Sequence, residues 1–296
     1  DGSLLWKVAE KEKLSHMGIS PKYISTLEEI KEKPILKYKL DNLRWLLAAG
    51  SPVAPGQFDW IYKNIKKNIG FASISGGSEL LACFMLGSPL HPVRRGELTV
   101  KGLGMSVEIF DSKNKSLINS PGDLVCTEPF PSMPITFWGK NGDERYKNTY
   151  FKERKEIWTH GDLAEIKSHG SGIIYGRTDN TLNPGGVRIG TAEIYNICET
   201  IKEIDDCLVF GNKINNDEEI IMCIKLTKDN ILDQIFSDSI RKLIRDNASP
   251  RHVPAKIIAV TDVPRTKNGK IVELAVKNII EGNEIKNKEA LANPEV

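Results

Sequence analysis

Residues 176–190 read Gly176-Arg177-Thr178-Asp179-Asn180-Thr181-Leu182-Asn183-Pro184-Gly185-Gly186-Val187-Arg188-Ile189-Gly190, and the chain changes texture across them. Before this stretch, short helical patterns alternate with short β-rich runs. After it a second set of strands and helices begins, so the polar segment from Arg177 to Asn183 is a candidate linker between two parts. Arg177 and Arg188 stand eleven apart across a Gly-rich loop. A guanidinium grips phosphate through a planar fork, so the pair suits an anionic ligand. A surface loop with two solvated arginines accounts for the same residues, and both readings stay open.

On the N-terminal side, Leu27–Lys33 reads as a helix that must stop at Pro34, because proline lacks the donor and clashes with the preceding turn. Leu43–Ala49 is a continuous apolar run broken by Gly50-Ser51-Pro52, a buried strand followed by a turn. Phe58, Ile61, Tyr62, Ile65 and Ile69 share one helical face. Ala72–Ile74 is a short strand ending at Ser75-Gly76-Gly77-Ser78, and 96–110 and 122–126 read as Gly-punctuated antiparallel strands. On the C-terminal side, Ile194, Ile197, Cys198 and Ile201 keep helix spacing. Cys207–Phe210 and Ile220–Leu226 read as strands separated by a polar turn, Asn212–Asp217. Ser237 is the expected N-cap of a helix running to Asn247; a strand at Lys256–Val260 and a helix at Ile271–Ile280 complete the pattern.

Composition narrows the function classes. The 296 residues allow one large domain or two ordinary ones, at about 150 residues each. A net charge of +2 demands neither nucleic acid nor an anionic membrane. The longest apolar run, Leu80–Leu86, is far below the roughly 18 residues of a membrane span. Five cysteines without C-x-x-C spacing suit reduced thiols, not a disulfide frame or zinc site. The chain opens Asp1-Gly2-Ser3 with no basic and apolar leader, so the cytosol is the expected compartment, and the missing initiator Met suits a piece of a longer protein.

Three further segments carry candidate chemistry. In Ser75-Gly76-Gly77-Ser78-Glu79 the glycines admit close backbone approach by a ring or phosphate, and the hydroxyl and carboxylate suit phosphate oxygen and Mg²⁺; a tight turn with a solvated Glu is the plainer reading. In Trp158-Thr159-His160-Gly161-Asp162, the carboxylate of Asp162 suits two ribose hydroxyls or a simple turn, and His160 reads as a wall residue with no orienting acid beside it. In Pro264-Arg265-Thr266-Lys267-Asn268-Gly269-Lys270, Lys270 is either a mobile point charge for a carboxylate or phosphate, or one of a solvated run.

In this order and spacing, these segments resemble the adenylate-forming acyl-CoA synthetase superfamily over Leu43–Lys270. Within it, Ser73–Glu79, Pro129-Phe130-Pro131-Ser132-Met133-Pro134, Thr136-Phe137-Trp138, Trp158–Asp162, Thr181–Pro184, Arg251-His252-Val253-Pro254 and Asn293-Pro294-Glu295 look like the acetoacetate–CoA ligases rather than their acetyl- or propionyl-CoA relatives. The resemblance implies an AMP-forming acid–thiol ligase of ketone-body and fatty-acid metabolism. Acetoacetate, ATP and CoA would be its substrates, with Mg²⁺ as metal and no nucleic acid, membrane or obligate protein partner. Another short acid (acetate, propionate, 3-hydroxybutyrate) and a non-catalytic nucleotide-binding fragment remain the alternatives.

The resemblance also implies an architecture: the second half of such an enzyme, an α/β domain tail with a distorted β-barrel region at about 95–170, then a small mobile α+β domain. The boundaries are 1–177 for the AMP-binding part, 178–183 for the hinge and 184–296 for the catalytic-lysine domain. Residue by residue, it places Gly50, Ser51, Pro52, Ser73, Ile74, Ser75, Gly76, Gly77 and Ser78 around the nucleotide and acyl group, and Glu79 on Mg²⁺. Asp162 would hold the ribose, Arg177 the nucleotide and Arg188 phosphate; Asp179 would be the hinge; Gly185, Gly186 and Arg245 would serve CoA; Lys270 would be the catalytic lysine. The family's Ser/Thr/Gly-rich phosphate loop has no counterpart upstream of Gly50, so residues 1–296 alone are expected not to catalyse adenylation.

Overall fold

The computed structural model describes residues 2–178, 180–184, 189–214, 217–267, 269–280, 282, 289 and 291–295. The chain divides into two units, Asp1–Ile174 and Tyr175–Val296.

The first unit begins with a parallel sheet of β1 (His16–Ile19), β2 (Trp45–Ala48) and β3 (Gly70–Ser73), in that order. Parallel neighbours need crossovers, and helices supply them. Helices α2 (Pro21–Glu29) and α3 (Pro34–Lys37) join β1 to β2, and α4 (Pro55–Asn64) joins β2 to β3; α1 (Leu4–Lys11) precedes them. Trp6, Ile24, Leu27, Leu46, Phe58, Ile61, Ile65 and Phe71 form their shared core. The expected helix at Leu27–Lys33 is corrected. Helix α2 ends at Glu29, Lys31 takes a positive φ of 53°, and Pro34 opens α3. Proline there is a start signal, its fixed φ and missing donor costing nothing in a first helical turn. Helix α4 starts three residues before Phe58 and stops at Asn64. Beyond it, Lys66 Nζ donates to the carbonyls of Leu40, Asp41 and Leu43 at 2.7, 3.1 and 2.8 Å, while Ile65 and Ile69 stay buried outside the helix.

Two antiparallel sheets follow: β4 (Ser75–Gly77), β5 (Ala82–Leu86) and β6 (Val100–Lys101), then β10 (Gly172–Arg177), β9 (Trp158–Ile166), β8 (Gly122–Cys126) and β7 (Val107–Phe110) in spatial order. Helix α5 (Gly142–Tyr150) lies between β8 and β9 in the chain. In the region expected as a distorted barrel, the described strands form these sheets and no closed barrel. Closure requires the first and last strands to pair, and β7 and β10 stand at opposite ends of their sheet.

The second unit is a three-stranded sheet, β11 (Ile204–Ile214), β12 (Asp217–Leu226) and β13 (Lys256–Val260), with β12 central. Side chains alternate across it. Cys207, Val209, Ile220, Met222 and Ile224 join Ile194 and Ile197 of α6 (Thr191–Cys198) and Ile240 and Ile244 of α7 (Gln234–Asn247). Leu208, Phe210 and Ile221 pack instead with Val263, Ile271 and Val276 of α8 (Glu273–Ile280). Helices on both faces explain why these strands are apolar in near-continuous runs. The polar stretch expected as a turn is mostly ladder, with Asn212 opposite Glu219; backbone pairing is indifferent to side-chain polarity on exposed strand ends. Ser237 is not the N-cap of α7. Asp233 holds that place, accepting from Phe236 N at 2.7 Å, while the Ser237 hydroxyl turns back to Asp233 O at 2.8 Å. Among the described residues no helix is long and apolar enough to cross a membrane.

Candidate functional site

The C-terminal ends of adjacent parallel strands lead directly into two of the expected segments. Strand β2 ends at Ala48 and runs into Gly50-Ser51-Pro52; β3 ends at Ser73 and runs into Ile74–Ser78, with Ile74 N donating to Ala48 O at 2.9 Å. Loops at that edge of an open α/β sheet are where such folds bind ligands. Gly50 has φ +108°, a conformation that L side chains avoid. Gly76 is required by its own hairpin, since a Cβ there would lie 2.3 Å from the Ala82 carbonyl. A short 3₁₀ turn over Ser78–Leu80 buries Leu80 and leaves Ser78 and Glu79 exposed.

Glu79 is oriented from below. The hydroxyl of Tyr150, on the last turn of α5, donates to Glu79 Oε1. The Tyr150 ring stacks on Trp158 at 3.7 Å and 15°, and lies 6.4 Å from the His160 ring at 9°. Phe84 meets His160 edge-on at 4.8 Å. This aromatic floor runs from Glu79 to Asp162, whose Oδ2 is 3.7 Å from His160 Nε2. Trp158 Nε1 can only donate, and it reaches His160 Nδ1 at 3.3 Å. The neutral imidazole therefore carries its proton on Nε2, facing Asp162. His160 does have an acid beside it, which corrects the expectation.

A local break in pairing places these side chains. Asp123 pairs with Leu163 and Val125 with Thr159, so His160, Gly161 and Asp162 face the single residue Leu124. Bulges of this kind re-aim side chains beside functional sites. The turn depends on Gly161, at φ +81°. Gly161→Ala should lower stability by about 1–2 kcal/mol, measured by urea unfolding, because a Cβ strains that backbone region. An unchanged midpoint would mean that the bulge relaxes without cost.

The far end of the same sheet has a pH-dependent clamp. Ser171 Oγ and His169 Nε2 (3.0 Å) both contact Glu97 Oε2. Burial alone would raise the Glu97 carboxyl, but the Ser171 and His169 hydrogen bonds and the His169 and Arg94 charges outweigh it and hold it below the ordinary range. A depressed carboxyl stabilises the fold above its unfolded pKa of about 4.3, and that contribution is lost as pH falls through the lower folded value. Ser171→Ala should therefore flatten the acid limb of a stability–pH profile below about pH 4.3. An identical limb in both proteins would contradict this assignment.

In the second unit, Arg177 is exposed at the end of β10, its carbonyl accepting from Thr181 Oγ1 at 3.0 Å. Asn180 Nδ2 and the Tyr195 hydroxyl both donate to Glu273, each at 2.9 Å. Burial, then the Glu273 charge, pushes the Tyr195 phenol far up, so it stays a proton donor. Arg245 is exposed on the last turn of α7. Lys270 is exposed on a tight turn in which Gly269 has φ +78° and donates to Thr266 O at 2.8 Å. Asp179, Gly185, Gly186 and Arg188 lie outside the described residues. Tyr150 and Arg265, which contact Glu79 and the Gly269 carbonyl, did not stand out in the sequence. Tyr150 is 71 positions from Glu79, and no local spacing shows that pairing.

Residues 193–270 match the AMP-binding enzyme C-terminal domain, and that match ends at Lys270. The likeness extends along the whole chain and is more particular. It is 45% identical over 295 residues to acetoacetyl-coenzyme A synthetase of Rhizobium meliloti (strain 1021), covering 100% of this chain and 45% of that protein. To the Gallus gallus acetoacetyl-CoA synthetase it is 37% identical over 296 residues, covering 99% of this chain and 44% of that one. The solved acetoacetyl-CoA synthetase from Streptomyces lividans superposes with a TM-score of 0.92 at 33% identity, over 99% of this chain and 46% of that structure. The chain is similar to these acetoacetyl-CoA synthetases and spans a little under half of their length. The anthranilate CoA ligase AuaEII shares the fold at 17% identity, with a TM-score of 0.76 over 94% of this chain and 52% of that structure.

Proposed function

We propose that this chain is part of an ATP-dependent acetoacetate–CoA ligase. Such an enzyme activates acetoacetate as acetoacetyl-AMP with release of pyrophosphate, then transfers the acyl group to CoA with release of AMP. The observation that carries the reading is the 45% identity, over the whole of this chain, to one acetoacetyl-coenzyme A synthetase. The geometry supports it, since Gly50–Pro52 and Ile74–Ser78 lie at the C-terminal edge of one parallel sheet and Lys270 is exposed.

In this reading Gly50–Pro52 and Ser73–Ser78 border adenine, ribose and acyl group, and Asp162 accepts from the ribose hydroxyls. His160, with its proton facing Asp162, helps fix the direction of that carboxylate. Mg²⁺ typically takes one or two protein carboxylates together with substrate phosphates, and an exposed Glu79 held by Tyr150 fits that requirement. Bound there, the ion would offset phosphate charge. Arg177 and Arg188 add cations for the nucleotide, and the Lys270 ammonium orients the acid and offsets charge developing toward phosphorus. Gly185, Gly186 and Arg245 serve CoA. The second part, from about 184, turns at Asp179 within the 178–183 hinge, so that Lys270 withdraws before the thiol attacks.

The test is AMP release by the full-length protein with CoA and acetoacetate, acetate, propionate or 3-hydroxybutyrate. Acetoacetate should give the highest kcat/KM. Preference for another acid would move the assignment to a different short-chain ligase, and no AMP with any acid would end it.

A further inference from the structure

The segment Asn293-Pro294-Glu295 has no role in the chemistry above, yet Asn293 is placed against the turn that carries Lys270. Its Oδ1 accepts from Arg265 N at 2.9 Å, and its Nδ2 donates to Asp262 Oδ2 at 3.0 Å and to Val263 O at 2.9 Å. Ala292 N donates to Arg265 O at 2.7 Å. One side chain thus satisfies groups on Asp262, Val263 and Arg265, beside the antiparallel bridges that pair Arg265 with Ile271 and Thr266 with Leu291. The Arg265 side chain then reaches in two directions. Nε donates to Asp206 Oδ2 at 2.7 Å, with Nη2 on the same oxygen, and Nη1 donates to the carbonyl of Gly269, immediately before Lys270. Thr266 closes the turn from within: its N donates to Lys270 O at 2.8 Å, and its Oγ1 accepts from Lys270 N at 3.1 Å.

We propose that Asn293 and the Asp206–Arg265 pair form a brace that positions the Lys270 turn for adenylation, so that Asn293, Arg265 and Asp206 are positioning residues. The proposal rests on the assignment of Lys270 above. Its physical basis is that a lysine side chain is long and flexible, so its ammonium can be aimed only if its backbone is held. Displacement by about 1 Å costs up to roughly a hundredfold in rate. Arg265 supplies a fork that lysine cannot copy, linking a β11 carboxylate to a turn carbonyl in one plane.

The experiment uses the full-length protein and separates the two half-reactions by rapid quench, alongside amide exchange at Thr266, Gly269 and Lys270. Asn293→Ala and Arg265→Lys should speed exchange at the turn and slow acetoacetyl-AMP formation by about ten- to a hundredfold. The KM for ATP and the conversion of supplied acetoacetyl-AMP to thioester should stay nearly unchanged. Asp206→Asn should reproduce the pattern, and Asp206→Glu should recover part of the loss. Equal losses in both half-reactions would show a merely structural role and overturn the proposal; so would faster exchange with adenylation intact. If Asn293→Ala fails to fold, Arg265→Lys decides by the same criteria. Failure of the unsubstituted protein to form any acyl-AMP is a different result: it overturns the ligase assignment itself, and the brace with it.

Discussion

Replacing Lys270 by alanine in the full-length protein is expected to slow acyl-AMP formation by about 10²–10³-fold, the usual cost of removing one preorganised charge or donor from a reacting centre. Conversion of supplied acyl-AMP to thioester should be spared, because the lysine is assigned to the first half-reaction alone. The fold gives this test a clean background. Lys270 is exposed, and its turn is held by backbone and Thr266, Arg265 and Asn293 contacts that do not involve its side chain. Removing the side chain should change stability by no more than about 0.5 kcal/mol, as for other surface substitutions. A variant that melts normally and adenylates normally would remove Lys270 from the mechanism.

The second large effect concerns stability. Arg154 and Asp123 are an internal ion pair at 2.7 Å, with side chains only 5% and 9% exposed. The guanidinium is fully engaged, donating also to Asn114 Oδ1 at 2.7 Å, Asp111 O at 3.3 Å and Thr159 Oγ1 at 3.4 Å. It ties the segment before β9 to β8 and to the loop after β7, close to the bulge that carries His160 and Asp162. Arg154→Ala removes the ion-pair partner of a buried carboxylate, at a cost of about 3–5 kcal/mol. For a unit of this size that lowers the melting temperature by on the order of 10 °C, read by calorimetry. Replacing both partners with apolar residues of similar volume should cost much less, since desolvation offsets most of the attraction. Arg154→Lys should fall between, because one ammonium cannot satisfy four acceptors. A loss below about 1 kcal/mol for Arg154→Ala would place the pair in water rather than in the core.

Apolar runs and periodicities were legible in the sequence where a single element explains them. Leu43–Ala49 marked β2, the spacing of Ile194, Ile197 and Cys198 marked α6, and Lys256–Val260 marked β13. Errors arose where two local signals compete. Pro34 reads equally as a stop and a start, and Asp233 and Ser237 are both good caps four residues apart. Sheet closure depends on which edges meet, and strand patterns carry no information on that. The same limit applies to the site. Glu79 and Asp162 stood out by residue type, but the Tyr150–Trp158–His160 floor linking them depends on α5 folding back on β9. The bulge at Gly161 depends on the register of β8, 35 or so positions away. Arg265 looked like one of a solvated run because Asp206 and Asn293 lie 59 and 28 positions from it.

The proposed ligase would first join an acid to AMP. Acetoacetate-dependent exchange of labelled pyrophosphate into ATP, with CoA withheld, measures that step alone in the full-length protein. Exchange that requires acetoacetate and disappears in Lys270→Ala is the predicted result. Exchange indifferent to the acid, or ATP cleavage to ADP and phosphate, would contradict it.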